Sequence, residues 1–378
     1  MRRVADSSFP LRTIAVLGDL AALADRRFLT CIPARDEGER IAGCLQSLDA
    51  ELMQADGAIL LANGCSDDTV VKACDAFALW TRPWAIVEID WTAGAGSAPL
   101  ARRLAFDLAA HLSPGGLILS IDGDTQVLPG LRAAYEAEFA KGYDLVCGGI
   151  GFLPDEAARL PPADPASEAV ISAYRTASRE ILALLCPDLD NPWPHHGNIG
   201  GANFAMRSRA YREAGPLPTP SSGEDRALRR RFEARGLRIR YSDGPRVETS
   251  CRLDGRAGGG LSEELRRNRT ETDPIVDELL ERPETLLLRC RSRNAFRATV
   301  DQTERAAILS ALGLDAAVCM AHAADGGEAG WQSAEDISPR LRRTRLRLSD
   351  LKRELPSLLE GLASIRAVRS GSPPSGER

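Results

Sequence analysis

Between Phe28 and Ile150, short apolar runs alternate with segments whose apolar residues recur at helical spacing. Phe28-Leu-Thr-Cys-Ile32 is stopped by Pro33 and reads as a buried strand by length and composition. Asp36 with Glu39 three residues on predicts a capping-box start, after which Ile41, Cys44, Leu45 and Leu48 share one helical face. Ala58–Leu61 is a second strand, ended by Asn63-Gly64. Ser66 is then expected to cap a helix carrying Val70, Val71, Cys74 and Phe77. Ala85–Ile89 is a third strand, and Ser97 with Pro99 just inside opens the helix of Leu100, Leu104 and Leu108. A strand over Leu117–Ile121, a helix over Leu131–Lys141 and a strand over Asp144–Ile150 complete the series. Such alternation predicts an α/β fold: a Rossmann-like, mostly parallel central sheet with helices on both faces.

After Ile150 the strict alternation stops. Leu153–Pro165 is rich in Pro and Ala and reads as a loop, and Ala166–Leu185 as an amphipathic helix. Asp188–Gly201 is dense in turn formers, which points to a functional loop or a long connection. Asn203–Met206 is expected as a strand, Asp225–Arg235 as a helix, and Leu237–Tyr241 and Val247–Thr249 as short strands. Past Gly260 the composition shifts to Leu, Arg, Glu and Ala at helical spacing. The expected organisation is an irregular lead-in over 1–27, an α/β domain over 28–260, a helical region over 261–369 and a disordered tail over 370–378.

The chain has 378 residues, enough for a large core, and a formal net charge of −5. That acidity gives no reason to expect nucleic acid as a partner. Nine cysteines are scattered without a Cys-x-x-Cys pair and read as reduced thiols rather than a disulfide framework. No apolar run approaches the roughly 18 residues of a membrane span, and Arg12, Gly18 and Asp19 interrupt the only early apolar stretch. A cytoplasmic protein with no transmembrane segment is expected.

In sheets of this kind, ligands gather outside the carboxyl ends of the strands. Pro33-Ala-Arg-Asp36, Asn63-Gly-Cys-Ser-Asp67 and Asp122-Gly-Asp124 all leave strand ends, so one crevice should receive all three. The carboxylates of Asp122 and Asp124 are spaced i, i+2, which puts them on one side of an extended backbone. Gly123 between them leaves room for a ligand. Taken alone, the pair is equally a solvated strand-end turn. Its functional counterpart is a divalent cation carrying a phosphorylated ligand, which would neutralise both carboxylates.

Five segments occur in order: Ile32-Pro-Ala-Arg-Asp-Glu37, Asn63-Gly-Cys-Ser-Asp-Asp-Thr69, Asp122-Gly-Asp124, Gly200-Gly-Ala-Asn-Phe204 and Gly223-Glu-Asp225. Together they resemble family-2 glycosyltransferases with the GT-A fold, over roughly residues 28–255. The resemblance implies a GT-A-like nucleotide-diphospho-sugar transferase fold with a helical C-terminal extension. It implies a hexosyltransferase-type, metal-dependent, inverting transfer of a sugar from a nucleotide diphosphate sugar. The acceptor would be a hydroxyl or amine on a small or lipid-linked molecule. Asp122 and Asp124 would hold Mn²⁺ or Mg²⁺ on the diphosphate. Pro33, Ala34, Arg35, Glu37, Asn63, Asp67, Arg102, Asp122 and Gly123 would seat the donor nucleotide. Asp225 would be the general base with Glu224 as the second candidate. His196, Gly200, Gly201, Ala202 and Asn203 would line the acceptor or sugar. Arg252 and Arg256, in a Gly-rich flap through Gly258–Gly260, would clamp the diphosphate.

The chain departs from the family at two places. Where many relatives carry Asp-Asp-Gly-Ser it has Ala62-Asn63-Gly64-Cys65, exchanging a carboxylate for an amide that both donates and accepts. Gly94, Gly96 and Ser97 suit an anion-facing loop, yet the lysine usual there is missing, while Ala101-Arg102-Arg103 remains. These departures leave open a catalytically silent nucleotide-sugar-binding module that acts as an assembly partner. A nucleotidyltransferase is a third class, and it needs a Gly-rich N-terminal loop ending in lysine that Pro33–Arg40 does not supply.

Overall fold

The computed structural model describes residues 9–92, 96–255 and 260–370. Residues 1–8 of the lead-in, Gly94, Arg256, Gly258, Gly259 and residues 371–378 of the expected tail lie outside them.

The chain divides into two compact units. The first takes the residues up to Leu160 and from His196 to Glu263, and the second takes Pro161–His195 and the residues from Glu264 onward. Residues 161–195, which the sequence placed within the 28–260 domain, are therefore grouped with the C-terminal helices.

The strands are β1 Leu11–Gly18, β2 Phe28–Ala34, β3 Gly57–Asn63, β4 Trp84–Trp91, β5 Leu117–Ser120, β6 Thr125–Val127, β7 Leu145–Phe152, β8 Phe204–Arg207 and β9 Ile239–Thr249. They form one sheet in the order β1-β4-β3-β2-β5-β8-β7-β9-β6. The block β4-β3-β2-β5 is parallel, and antiparallel strands join it at β1 and β8. β2 and β3 are buried almost throughout, which explains why they read as unbroken apolar runs rather than alternating ones. In the first unit, helices cover both faces. α1 Ile41–Glu51, α2 Thr69–Phe77, α3 Ala98–Leu112 and α4 Leu131–Ala140 follow β2, β3, β4 and β6. α1, α2 and α4 bury Leu45, Phe77, Tyr135 and their neighbours on one face. α3 buries Leu104, Phe106 and Leu108 on the other. The short α5 Pro154–Ala157 lies in the stretch expected to be a loop.

Further along come α6 Pro165–Leu185, α7 Ser208–Ala214, α8 Glu224–Ala234, α9 Leu261–Thr270, α10 Pro283–Ala298, α11 Gln302–Ala311, α12 Ala316–Asp325, α13 Gly327–Ile337 and α14 Leu348–Ser370. Within the second unit, Tyr174 and Ile181 of α6 pack with Leu286, Cys290, Leu351 and Leu358. Phe296, Leu309 and Trp331 centre a second cluster. Arg289 is buried there in ion pairs with Glu281 (2.8 Å) and Glu335 (2.7 Å).

Several sequence expectations need local correction. The lead-in holds a full strand, β1. Asp36 does not cap α1. Its backbone is left-handed (φ 52°), and the helix begins at Ile41 after Arg40, with no side-chain cap. Ser66 likewise is not the cap of α2, whose N-cap position is Asp68. Ser97 does cap α3, accepting from the Leu100 N–H at 3.3 Å. The two short strands expected after residue 236 are one strand, β9, whose register against β7 slips between Cys147 and Gly149.

Candidate functional site

β2, β3 and β5 run parallel, so their carboxyl ends deliver three loops to one edge of the sheet. The first two loops are tied to each other. Asp36 accepts from the Ser66 N–H (2.6 Å) and hydroxyl (3.1 Å), while Asp67 accepts from the Gly38 N–H (2.9 Å). Those bonds, the main-chain one first, hold the Asp36 carboxyl below its usual range. Cys65 joins Asp36 and Asp67 in a group whose ligand atoms lie within 4.8 Å of one another. Both carboxylates in that group are committed to joining the loops. Pro33 and Ala34 end β2, and Arg35 is exposed just beyond it. Asn63 ends β3 and is buried, its Oδ1 accepting from the Trp91 indole N–H at 2.5 Å.

The third loop carries Asp122 and Asp124. β5 stops at Ser120, and the Thr125 N–H donates to the Asp122 carbonyl (3.1 Å), so the pair sits on a turn rather than an extended strand. The turn sends the carboxylates to different arginines. Arg102 Nη2 reaches Asp122 Oδ1 at 2.9 Å, and Arg252 Nη2 reaches Asp124 Oδ2 at 3.1 Å. Nor does Gly123 leave space for a ligand. A Cβ there would stand 3.1 Å from Ala34 Cβ and 3.3 Å from Glu37 Cγ, so the glycine lets the β2 loop pack against the turn.

Arg102, on the buried face of α3, is the hub. Its guanidinium also donates to Glu224 Oε1 (3.1 Å), Ser120 Oγ (2.9 Å) and the Gly201 carbonyl (2.9 Å). Burial works against its charge, but Asp122 and Glu224 outweigh that and hold its pKa above the ordinary value. Gly201 is required by this contact, because a Cβ would lie 2.4 Å from Arg102 Nη2. Arg252 forms the second hub, donating to both oxygens of Glu37 (2.7 and 2.5 Å) as well as meeting Asp124. The structure thus pairs Glu37 with Arg252, two residues 215 positions apart that the sequence assigned separately. Arg256, the second arginine of the expected clamp, lies outside the described residues.

Glu224 and Asp225 open α8 behind Gly223, whose left-handed backbone (φ 76°) turns the chain into the helix. Asp225 Oδ1 accepts from the Arg226 N–H at 2.7 Å. Burial, then Glu224, push its carboxyl upward. At Asp124, burial together with Asp122 and Glu37 pushes the carboxyl up to about 7, against the pull of Arg252 and a Thr249 hydroxyl bond. Five carboxylates (Glu37, Asp122, Asp124, Glu224, Asp225) therefore surround two arginines. Burial first, and then the neighbouring carboxylates, raise Asp124 and Asp225.

The segment from His196 to Asn203 is largely committed to the protein. His196 Nδ1 accepts from the Asn198 N–H (3.2 Å), leaving Nε2 to donate to the Cys147 carbonyl (3.2 Å). Asn203 is fully buried. Its Oδ1 accepts from Tyr135 (2.6 Å), and its Nδ2 donates to the carbonyls of Gly149 (2.8 Å) and Pro245 (3.0 Å). Both amide donors are thus committed to the protein, and Oδ1 has one of its two acceptor positions filled. Ala202 is buried and Gly200 half-buried beside it. Ser120, Thr249 and Trp91 were not singled out in the sequence. A Ser or Thr on a strand and a Trp at a strand end carry no signal until their partners are known.

No protein-family model and no curated protein sequence matches the chain. The solved structures that it is similar to include GT-A glycosyltransferases. The S. aureus TarS complex with UDP-GlcNAc is 12% identical over 92% of both chains, with a TM-score of 0.45. The Pyrobaculum calidifontis mannosyltransferase PcManGT, with GDP-Man and Mn²⁺, is 13% identical over 97% of this chain and 86% of that one, with a TM-score of 0.44. The Mycobacterium tuberculosis glucosyl-3-phosphoglycerate synthase, with Mn²⁺ and UDP-Glc, is 16% identical over 69% of this chain and 86% of that one, with a TM-score of 0.39. No described helix is long and apolar enough to cross a membrane.

Proposed function

We propose that this chain transfers a sugar from a nucleotide diphosphate donor to an acceptor hydroxyl or amine, with inversion and with the help of a divalent cation. The observation that carries the proposal is the single cluster built by Asp122, Asp124, Arg102, Glu224 and Asp225, which joins the two acidic segments of the family pattern.

The site has the character a cation requires. Among the described residues Asp122 Oδ2 has no hydrogen-bond partner, Asp124 is raised by burial and by the neighbouring carboxylates, and both offer the hard oxygens that Mg²⁺ and Mn²⁺ take. When bound there, the cation would act as a Lewis acid towards the diphosphate leaving group. Arg102 fixes Asp122 and Glu224 in place. Because the Glu224 carboxylate is spent on Arg102, Asp225 is the better base. Its upward shift makes it a stronger proton acceptor than an ordinary aspartate, and general-base assistance of this kind contributes ~10²–10⁴-fold. Arg252, forked onto Glu37, is positioned to exchange a carboxylate for a phosphate oxygen.

The direct test is thermal shift with UDP, GDP, ADP and CDP, each with and without Mn²⁺. Binding of a nucleotide to the folded state alone raises the melting temperature. At least one nucleoside diphosphate should stabilise the protein, and more strongly with Mn²⁺. No stabilisation by any of the four would contradict the assignment.

A further inference from the structure

We propose that β1 is a dimerisation strand, pairing antiparallel with β1 of a second copy of this chain so that two sheets become one. β1 is the outermost strand of the sheet and pairs with β4 alone among the described strands. It lies in the stretch whose pattern announced no element, and it is exposed on both faces: Ile14, Val16 and Leu17 are 38%, 37% and 40% exposed. Natural edge strands are blunted by lysine, proline or a mid-strand bulge. Leu11–Gly18 contains neither residue, and its one irregularity lies at the Leu11/Thr13 end.

The hydrogen-bond phase of β1 follows from one contact. The Asp19 N–H donates to the Trp84 carbonyl (3.1 Å), and the register against β4 is unbroken from Thr13 to Gly18. Antiparallel ladders alternate, so Thr13, Ala15 and Leu17 direct their main-chain groups at β4. Ile14, Val16 and Gly18 direct theirs at the open edge. A two-fold axis through Ala15 suits this phase. It sets Ile14 opposite Val16 of the second copy in both directions, and these two pairs exchange about four main-chain hydrogen bonds. Ala15 meets its own copy as a non-hydrogen-bonded pair, where the backbones come closest and a small side chain fits.

The side chains agree with this register. Ile14 and Val16 lie beside Ile89 and Val87 of β4, both buried. Across the axis, the stripe Val87, Val16, Ile14, Ile89 becomes continuous from one sheet into the next, an isologous contact. The only charge on the strand is Arg12, already near Asp90 at 3.5 Å. In this register the two copies of Arg12 stand about six residues apart along the strands, roughly 20 Å. That exceeds the Debye length of about 8 Å at physiological salt, so they do not repel.

Sedimentation velocity of the full chain, up to concentrations on the order of 100 µM, tests the pairing. A concentration-dependent dimer is expected. Ile14→Lys should make it monomeric with catalytic activity unchanged. Val16→Pro is the second variant. It removes one outward N–H and none of the β4 ladder, so circular dichroism and melting should stay near wild type while the dimer is lost. A chain that stays monomeric across the range overturns the proposal, even if removing residues 1–8 then lets it dimerise. A dimer that survives both variants overturns it as well.

Discussion

Trp91 donates its indole N–H to Asn63 Oδ1 at the end of β3. An indole nitrogen can only donate, so the amide has one permitted orientation, with Nδ2 turned away from Trp91. Where the family that the sequence resembles often carries a carboxylate, the Asn63 amide has its N–H donors turned away from Trp91. If β3 and its loop seat the nucleobase, the base is met there through an acceptor atom. Asn63→Asp should reorder the melting shifts produced by UDP, GDP, ADP and CDP, and Trp91→Phe should flatten their differences. An unchanged rank order in both variants would remove Asn63 from base recognition.

Arg102 serves four acceptors from a buried position. Arg102→Ala leaves Asp122 and Glu224 without their cation, and breaking such a pair from one side costs roughly 3–5 kcal/mol. Arg102→Lys keeps the charge but not the fork, so an intermediate loss is expected. Gly201→Ala presses a methyl group on the same guanidinium and should cost about 1–3 kcal/mol. Urea denaturation measures all three. A loss below about 1 kcal/mol for Arg102→Ala would show that the hub is not structural.

The raised carboxyl of Asp124 makes stability depend on pH in a defined direction. Its value is about 7 in the folded protein and roughly 3.9 in an unfolded chain. Between these values the folded state keeps a proton that the unfolded chain has lost, so stability from this group declines as pH rises from about 4 to 7. Asp124→Asn removes the decline. Without metal, the variant should be more stable than wild type near pH 8, by on the order of 2 kcal/mol, and close to it near pH 4. A wild type that holds the advantage at the higher pH would contradict the charge balance described for the site.

The parallel block was legible because β2 and β3, buried on both faces, leave unbroken apolar runs that end at Pro33 and Asn63. β1 was not, because its Ile14 and Val16 meet solvent and share a segment with Arg12, Gly18 and Asp19. β6 is three residues long and exists through its pairing with β9, a contact far away in sequence. Capping was misassigned at Asp36 and Ser66 because their side chains bond each other's loops, and local spacing cannot reveal a partner 30 residues away. In the site, the identities of Asp122, Asp124, Arg102 and Arg252 could be read from motifs. Their pairing could not. Which arginine holds which carboxylate is fixed by the turn at Asp122–Thr125. Asn203 shows another limit, since its motif position suggested a ligand, while nothing local in sequence announced that Tyr135, Gly149 and Pro245 would take three of its four hydrogen-bonding positions.

In the proposed reaction one cluster divides its labour, with Asp122 and Asp124 on the donor side and Asp225 taking the acceptor proton. Release of nucleoside diphosphate from a donor sugar with Mn²⁺ present tests it most directly, measured for wild type, Asp122→Asn and Asp225→Asn. The prediction is turnover by the wild type and a drop of at least ~10²-fold in Asp225→Asn with donor binding intact. Asp122→Asn should lose both turnover and the Mn²⁺-dependent gain in donor binding. Turnover within a few-fold of wild type in both variants would contradict the account.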